Sequence, residues 1–337
     1  MTQLHIFTRY SEISLQAWDA LVERSAWATW FQTREAYQFY AGLPHEMQAF
    51  AFGVEENGVL VGIVTGYITR ERNAAKQFFT RRAIVLGGVL VDEHISDEAL
   101  AMLLATLCKQ LGDKAIYIEL RNLHDYSRWK DVFAAQGFDY QPHLNFQVDC
   151  TDSATILGRM KSNRRRQIRK GLANGAYIAE AQSGKDITEF YAILRNLYRH
   201  KVKTPLPSIE FFLQLYYEQY ATFLLVKYQE TVIGGIVCPV LRGCALYEWY
   251  ICGLDKQYRQ QYPSVLATYA AIEYAAMHGI ASFDFMGAGT PHIAYGVRTF
   301  KSRFGGTQVE NGRFLYVCKP LFYRIGQLAV RLLHTCD

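Results

Sequence analysis

Two stretches of this chain concentrate groups that could do chemistry. "YGVRTFKSRFGG" (295–306) sets one lysine, Lys301, between Phe300 and Phe304 and closes on Gly305 and Gly306. Spacing alone does not say what that lysine acts on. "KSNRRRQIRK" (161–170) packs six cations into ten positions. At helical spacing Arg165 and Arg169 share a face, with Arg166 and Lys170 beside them. So dense a run repels itself and gains stability when a polyanion neutralises it; a solvated helix face is the plain alternative. An RNA backbone, a nucleotide diphosphate or a lipid-linked pyrophosphate would suit the two-pronged donor geometry of arginine. Metal chemistry is not indicated: seven cysteines lie singly, no Cys-x-x-Cys pair occurs, and neither Cys nor His falls at zinc-ligand spacing.

The body that must position these groups is of ordinary globular composition. The chain has 337 residues, half of them hydrophobic and a fifth charged, enough for two domains or one large one. Aromatics reach 14%, so a core and a ring-lined cleft can coexist. The formal charge of +5 suits a phosphate-bearing partner without requiring one. Neither a secretory signal nor a run of about 20 apolar residues is seen, and the lone cysteines read as reduced thiols. A cytoplasmic protein is expected.

Periodicity predicts one plan used twice. In the first half, "MQAFAFGV" (47–54), "GVLVGIVTGYI" (58–68) and "AIVLGGVLV" (83–91) read as strands. A helix stopped by Gly112 follows, then the strand "AIYIEL", a second helix, and the strand "LNFQV" (144–148). In the second half, "TFLLVKY" and "TVIGGIVCPV" form a hairpin around "QE". "CALYEWYICG" is the third strand, "PSVLATYAAIEYAAMHG" the glycine-stopped helix and "ASFDFMG" the strand after it. "VGIVTG" and "GGIVCP" lie roughly 170 residues apart, as a duplication would place them. The strand order resembles the N-acetyltransferase (GNAT) fold. The fold class expected is α/β (of the α+β type), with two tandem GNAT-like domains, each a mixed β-sheet flanked by helices. The domains expected are 1–150 and 151–337. Their join leads into one helix, "ATILGRMKSNRRRQIRKGLANG", capped by Ser153 or Thr155 and ended by Gly175.

A coenzyme-A acetyltransferase holds the cofactor pyrophosphate on backbone N–H groups of a glycine-rich turn between third strand and helix. Here the two turns read "VDEHISDEA" and "GLDKQYRQQYPS". Neither looks able to cradle a pyrophosphate, so no cofactor is expected.

"YEWYICGLDKQYRQQYPSVLATYAAIEYA", "FDFMGAG" and "GVRTFKSRFGG" resemble the C-terminal signature of the Fem-type (FemABX) peptidyl aminoacyltransferases. "SNRRRQIRKGLANGAYI" is similar to that family's basic helix. The likeness covers roughly residues 150–320 well, and the N-terminal half only through "WFQTREAY". It implies two GNAT-like domains, an aminoacyl-tRNA donor and an acceptor amine on a peptidoglycan precursor. It also points to Lys301 in the transfer. An amine attacking an ester carbonyl develops a negative oxygen, which a fixed cation stabilises best where water is excluded. Phe300 and Phe304 would exclude water, and Gly305 and Gly306 would let backbone approach closely. Asp284, at a strand end, could orient the amine or cap the "MGAG" turn. Tyr247, Trp249 and Tyr250 could be a binding platform or core. His292 could accept a proton or be a solvated loop residue. Arg165 and Arg169 are the expected phosphate binders.

The chain also departs from the family. There is no room for the long helical hairpin that several members insert. The segment after "FQT" lacks the tryptophan and lysine that meet a nucleotide diphosphate there. The acceptor could therefore be an amine on a glycan, a lipid or a small molecule. The reading is an acyltransferase whose interdomain cleft holds both substrates, with Lys301 and Asp284 catalytic. The alternatives are an acyl-CoA or acyl-carrier N-acyltransferase and a non-catalytic RNA- or membrane-surface-binding module. DNA is not an expected partner. In the last helix, "PLFYRIGQLAVRLL" (320–333), Leu321, Phe322, Ile325, Leu328, Val330 and Leu332 fall largely on one side. That stripe packs on the second domain or contacts the inner membrane leaflet.

Overall fold

Two hairpins set the pattern of the computed structural model, which describes residues 2–70 and 81–335, with side chains as far as Gln327. The first joins β2 (Met47–Glu56) to β3 (Val59–Thr69) through Asn57 and Gly58, both left-handed at φ 53° and 80°. The second joins β10 (Ala221–Tyr228) to β11 (Thr231–Leu241) through Gln229 and Glu230, at φ 47° and 63°. Two consecutive left-handed residues make the turn whose twist matches that of the strands it joins. Asn-Gly is its usual sequence; Gln-Glu adopts it at some cost, since both carry a Cβ.

The chain divides into two units, residues 1–142 with 311–337, and residues 143–310. Besides β2 and β3, the first contains β1 (Leu4–Phe7), β4 (Arg82–Gly87), β5 (Leu90–Val91), β6 (Tyr117–Asn122), β7 (Asp139–Gln141) and β16 (Arg313–Val317). Besides β10 and β11, the second contains β8 (Leu144–Asp149), β9 (Ala176–Glu180), β12 (Ala245–Tyr247), β13 (Tyr250–Gly253), β14 (Ser282–Asp284) and β15 (Thr307–Glu310). Among the described residues each unit has one eight-stranded sheet. The orders are β1-β2-β3-β4-β6-β16-β7, with β5 on β3, and β15-β8-β14-β12-β11-β10-β9, with β13 on β11. β4 runs parallel to β6, and β12 parallel to β14; the other pairings are antiparallel.

Each expected third strand is in fact two. In the first unit it breaks at Gly87 and Gly88, at φ 85° and 87°. In the second it breaks at Glu248 and Trp249, whose N–H groups donate to Asp284 O and Val237 O. The break lets the leading piece pair with a parallel neighbour while the trailing piece stays on the hairpin. A helix follows each break, Asp97–Leu111 and Pro263–Met277, and buries its apolar face on its own sheet.

Three expectations are corrected. β8 was expected to close the first domain but belongs to the second sheet, paired with β14 and β15; β16 belongs to the first sheet, paired with β6 and β7. The divisions 1–150 and 151–337 therefore shift. Leu144, Phe146 and Val148 of β8 are buried in the second core, whereas alternation alone says which face is buried, not in which sheet. The expected helix 154–175 is two, Ile156–Arg159 and Ser162–Ala173, because Met160 turns extended (ψ 150°) and is buried in that core. Neither Ser153 nor Thr155 caps it by side chain, while Gly175, at φ 84°, ends it as expected.

The carboxy-terminal helix spans Pro320–Thr335, with Leu321 and Ile325 exposed. Leu328, Val330 and Leu332 lie outside the described side chains. Among the described residues no helix is long and apolar enough to cross a membrane.

Candidate active site

β14 ends at Asp284, and the chain then turns sharply through Met286 (φ 56°), Gly287 (φ 135°) and Gly289 (φ 80°). Buried carboxylate and amide groups hold this turn. Asp284 accepts from the Met286 N–H at 2.6 Å, from Asn145 Nδ2 at 2.8 Å and from Gln147 Nε2 at 3.0 Å. Asn145 Oδ1 accepts from the Gly287 N–H at 2.8 Å. Of the two roles left open for Asp284, turn capping is the one present, and β8 supplies the two amides that complete it. Further along, Arg298 donates to the carbonyls of Ala288, Thr290 and Ile293 and so ties down the following loop. His292 lies in that loop, exposed and left-handed at φ 65°.

Lys301 ends the short helix Gly296–Lys301 and is only 8% exposed. Its Nζ donates to Phe285 O at 2.7 Å and Gly287 O at 2.8 Å, and pairs with Glu248 Oε1 at 2.9 Å. An ammonium has three N–H bonds, and these partners use all three. Lys301 thus fastens the 285–287 turn to the strand break at Glu248.

Glu248 was not singled out from the sequence. It is 6% exposed, and its Oε2 is a buried atom with no hydrogen-bond partner among the described residues. Burial pushes its pKa up and Lys301 pulls it down, with burial the stronger. A carboxyl in this setting takes up a proton more readily than a solvated one. The signal available in the sequence was one acidic residue inside the apolar and aromatic run "CALYEWYICG".

Phe300 and Phe304 serve a different cation from the one expected. The Arg164 guanidinium lies 4.5 Å from each ring centroid, a cation–π contact with both rings of this tilted pair. It also donates to Gln167 Oε1 at 2.8 Å and to Phe300 O at 3.3 Å, while its buried Nε has no hydrogen-bond partner among the described residues. Burial lowers its pKa to about 10, assisted by the nearby charge of Arg303. Arg164 falls on the face of Ile168, one turn away, and both are buried. That face could have been read from the helical spacing.

Arg165 and Arg169 do not act as a matched pair. Arg165 Nη1 donates to Gly158 O at 2.9 Å and Met160 O at 2.7 Å, closing the end of the preceding helical turn. Arg169 is exposed, as are Arg166 and Lys170. Gly305, at φ 84°, and Gly306 do permit close backbone approach, but to this chain's own backbone. A Cβ would stand 2.9 Å from Arg159 C and O at the first, and 2.9 Å from Gln147 O at the second. Tyr247 is buried at 2% exposure; Trp249 is half-buried, edge-on to Phe211 at 5.0 Å.

The helix start after each third strand is filled by the chain itself. Asp255 accepts from the Ser264 N–H at 3.1 Å and from its Oγ at 2.5 Å, so a carboxylate occupies the first turn of Pro263–Met277. Before Asp97–Leu111, Ser96 Oγ accepts from Ala99, and Asp97 and Glu98 add negative charge. A coenzyme pyrophosphate needs those N–H groups free and a positive setting. Neither start offers both.

Residues 158–301 match the family model described as an acetyltransferase (GNAT) domain. FemX matches with a TM-score of 0.72 at 15% identity, over 95% of this chain and 99% of that one. A second similar structure is the C-terminal domain of a putative lysylphosphatidylglycerol synthetase from Agrobacterium fabrum, with TM-score 0.57, 12% identity, and 89% and 90% of the two chains covered. A third is a tandem GNAT protein from the clavulanic acid biosynthesis pathway, with TM-score 0.55, 10% identity, and 94% and 99% covered. Among curated proteins no sequence matches this chain. The chain thus carries, over residues 158–301, a domain similar to GNAT-type acetyltransferases. Its fold is the tandem GNAT-like arrangement of the Fem type, similar to FemX over nearly its whole length.

Proposed function

We propose that the chain is an aminoacyltransferase, moving an aminoacyl group from an aminoacyl-tRNA to an amine of a peptidoglycan precursor or related cell-envelope acceptor. The observation that carries the choice of donor is Asp255 on the Ser264 N–H, which occupies the helix start where coenzyme A would need free donors. The exposed cations Arg166, Arg169 and Lys170 suit a tRNA backbone. Similarity in fold to FemX and to a lysylphosphatidylglycerol synthetase domain supports the same class of transfer.

In the transfer the amine nitrogen attacks the ester carbonyl carbon. The C–N bond forms, the C–O bond to the ribose breaks, and the ribose oxygen leaves with a proton. Glu248 Oε2, buried and without a hydrogen-bond partner among the described residues, takes the proton that the amine loses and passes it to the leaving ribose oxygen. Lys301 keeps Glu248 ionised, and it stabilises the developing oxyanion once one of its carbonyl bonds is released. The ester is already activated, so positioning supplies much of the rate.

Glu248→Gln keeps the size of the side chain and an oxygen for Lys301 but cannot accept the proton. Transfer should fall by about 10²- to 10⁴-fold. The wild-type rate should decline as pH drops through the raised Glu248 pKa, and the variant should lose that limb. A Glu248→Gln enzyme with the wild-type rate and pH profile would remove Glu248 from the mechanism.

The GNAT family match favours a second reading, an acyl-CoA or acyl-carrier N-acyltransferase. Asp255 weighs against coenzyme A and less against a carrier protein.

A further inference from the structure

The helix Ser162–Ala173 begins without a side-chain cap. Lys161 stands at its N-cap with no side-chain hydrogen bond, and its first turn holds no acidic residue. Among the described residues, nothing accepts from the N–H groups of Ser162 and Asn163. The end of the Lys301 motif is pinned against this start. The Lys161 N–H donates to Arg303 O at 3.0 Å, and at Gly305 a Cβ would stand 2.9 Å from the Arg159 carbonyl. Two open N–H groups, at the positive end of a helix, thus lie beside the segment that carries Lys301 two residues before Arg303.

Three cations stand at this start, and none forms an ion pair among the described residues. Lys161 is exposed and Arg303 half-buried, and neither side chain hydrogen-bonds to a described residue. Arg164, in the first turn, is 3% exposed, and its buried Nε has no hydrogen-bond partner among the described residues. The charge of Arg303 repels it. Asp255 is the acidic group within electrostatic reach of Arg164, and it is already engaged by the Ser264 N–H and hydroxyl. Like charges gathered without a carboxylate are costly. An anion at the helix start relieves that cost and takes the open N–H groups as well.

We propose that this helix start is a phosphate seat, formed by the N–H groups of Ser162 and Asn163 with the Arg303 guanidinium and the Lys161 ammonium, and that it holds a phosphodiester of the donor's single-stranded 3′ end. The inference rests on the aminoacyl-tRNA donor proposed above and says where its last phosphates go. The reacting ester is on the terminal ribose, whose own 5′ oxygen carries a phosphate. In a peptidoglycan precursor, by contrast, sugar and stem peptide separate the diphosphate from the acceptor amine. A seat on the segment that carries Lys301 suits the nearer phosphate. Arg164, in contact with Phe300 and Phe304, is a positioning residue beneath the seat.

The test uses the full chain and two labelled RNA hairpins of identical stem, one ending in a single-stranded 5′-ACCA-3′ and one blunt, with binding read by fluorescence anisotropy at fixed salt. The overhang should tighten binding by about tenfold or more, the equivalent of one charge-assisted bond. Arg303→Met should remove that gain while changing the blunt hairpin far less. Ser162→Pro deletes one N–H at a helix position that proline tolerates, after a residue already extended at ψ 143°. It should weaken the overhang hairpin several-fold, and it carries the test if Arg303→Met fails to fold. No gain from the overhang, or a full gain in a folded Arg303→Met or Ser162→Pro protein, overturns the proposal. So does uridine diphosphate binding more tightly than the overhang hairpin in an Arg303-dependent way, which would assign the seat to a nucleotide-linked precursor. Failure of the donor reading shows separately, as transfer from acyl-CoA by the wild-type chain, which these ester-free hairpins do not report.

Discussion

Replacing Lys301 with methionine should cost the second unit much of its stability before any question of turnover arises. The substitution removes all three N–H donors at once. It strands the carbonyls of Phe285 and Gly287 and leaves Glu248, 6% exposed, without the ion-pair partner it has among the described residues. Removing one member of such a buried pair costs about 3–5 kcal/mol, a large part of a domain's usual stability. The loss should depend on pH in a definite sense. An unfolded glutamate titrates near about 4.3, and folded Glu248 titrates higher because burial disfavours its charge. Between those two values the folded state holds more protons than the unfolded one, so stability falls as pH rises and the penalty is complete above the folded pKa. Lys301→Met raises that pKa further, so its deficit should be smaller at pH 5 than at pH 8. Urea unfolding at both pH values measures this, and Lys301→Met combined with Glu248→Leu should regain about 2 kcal/mol or more over the single variant. A Lys301→Met protein as stable as wild type at pH 8, with strictly additive behaviour in the double variant, would refute the reasoning.

Arg165 and Arg169 should separate. Arg169→Ala should shallow the log–log salt dependence of tRNA binding by roughly one unit, whereas Arg165→Ala should leave that slope nearly unchanged and lower stability by about 1–3 kcal/mol. Equal slopes for Arg169→Ala and wild type would exclude that residue as a phosphate contact. Gly305→Ala should destabilise by about 2 kcal/mol or more, since alanine at φ 84° also meets the Arg159 backbone at 2.9 Å. A urea midpoint equal to wild type would show that the turn relaxes without cost.

Local signals made much of this fold legible. Asn57-Gly58, the alternating runs on either side of it and the glycine after Asp97–Leu111 are read by chemistry that acts within a few residues. The second copy was found because it repeats the first. Partnership between distant segments was not legible. The burial pattern of β8 suits either sheet equally, so its place beside β14 depends on contacts made more than a hundred residues away. The break at Met160 follows from a core that the segment itself does not reveal. At the site, the motif drew attention to Lys301 and Asp284, and both hydrogen-bond to the turn after β14. It did not disclose that Lys301's donors are all engaged, or that Phe300 and Phe304 both contact the Arg164 guanidinium. Glu248 sits in a strand break, where alternation ceases to say which way a side chain faces.

The central claim, an aminoacyl-tRNA donor, is tested most directly by supplying the purified chain with labelled aminoacyl-tRNA or labelled acyl-CoA together with cell-envelope precursors. Each mixture is run with and without ribonuclease, and new amide bonds are read by mass spectrometry. The account predicts label transferred from aminoacyl-tRNA, lost on ribonuclease treatment, and none from acyl-CoA. Transfer from acyl-CoA in the ribonuclease-treated mixture would contradict it.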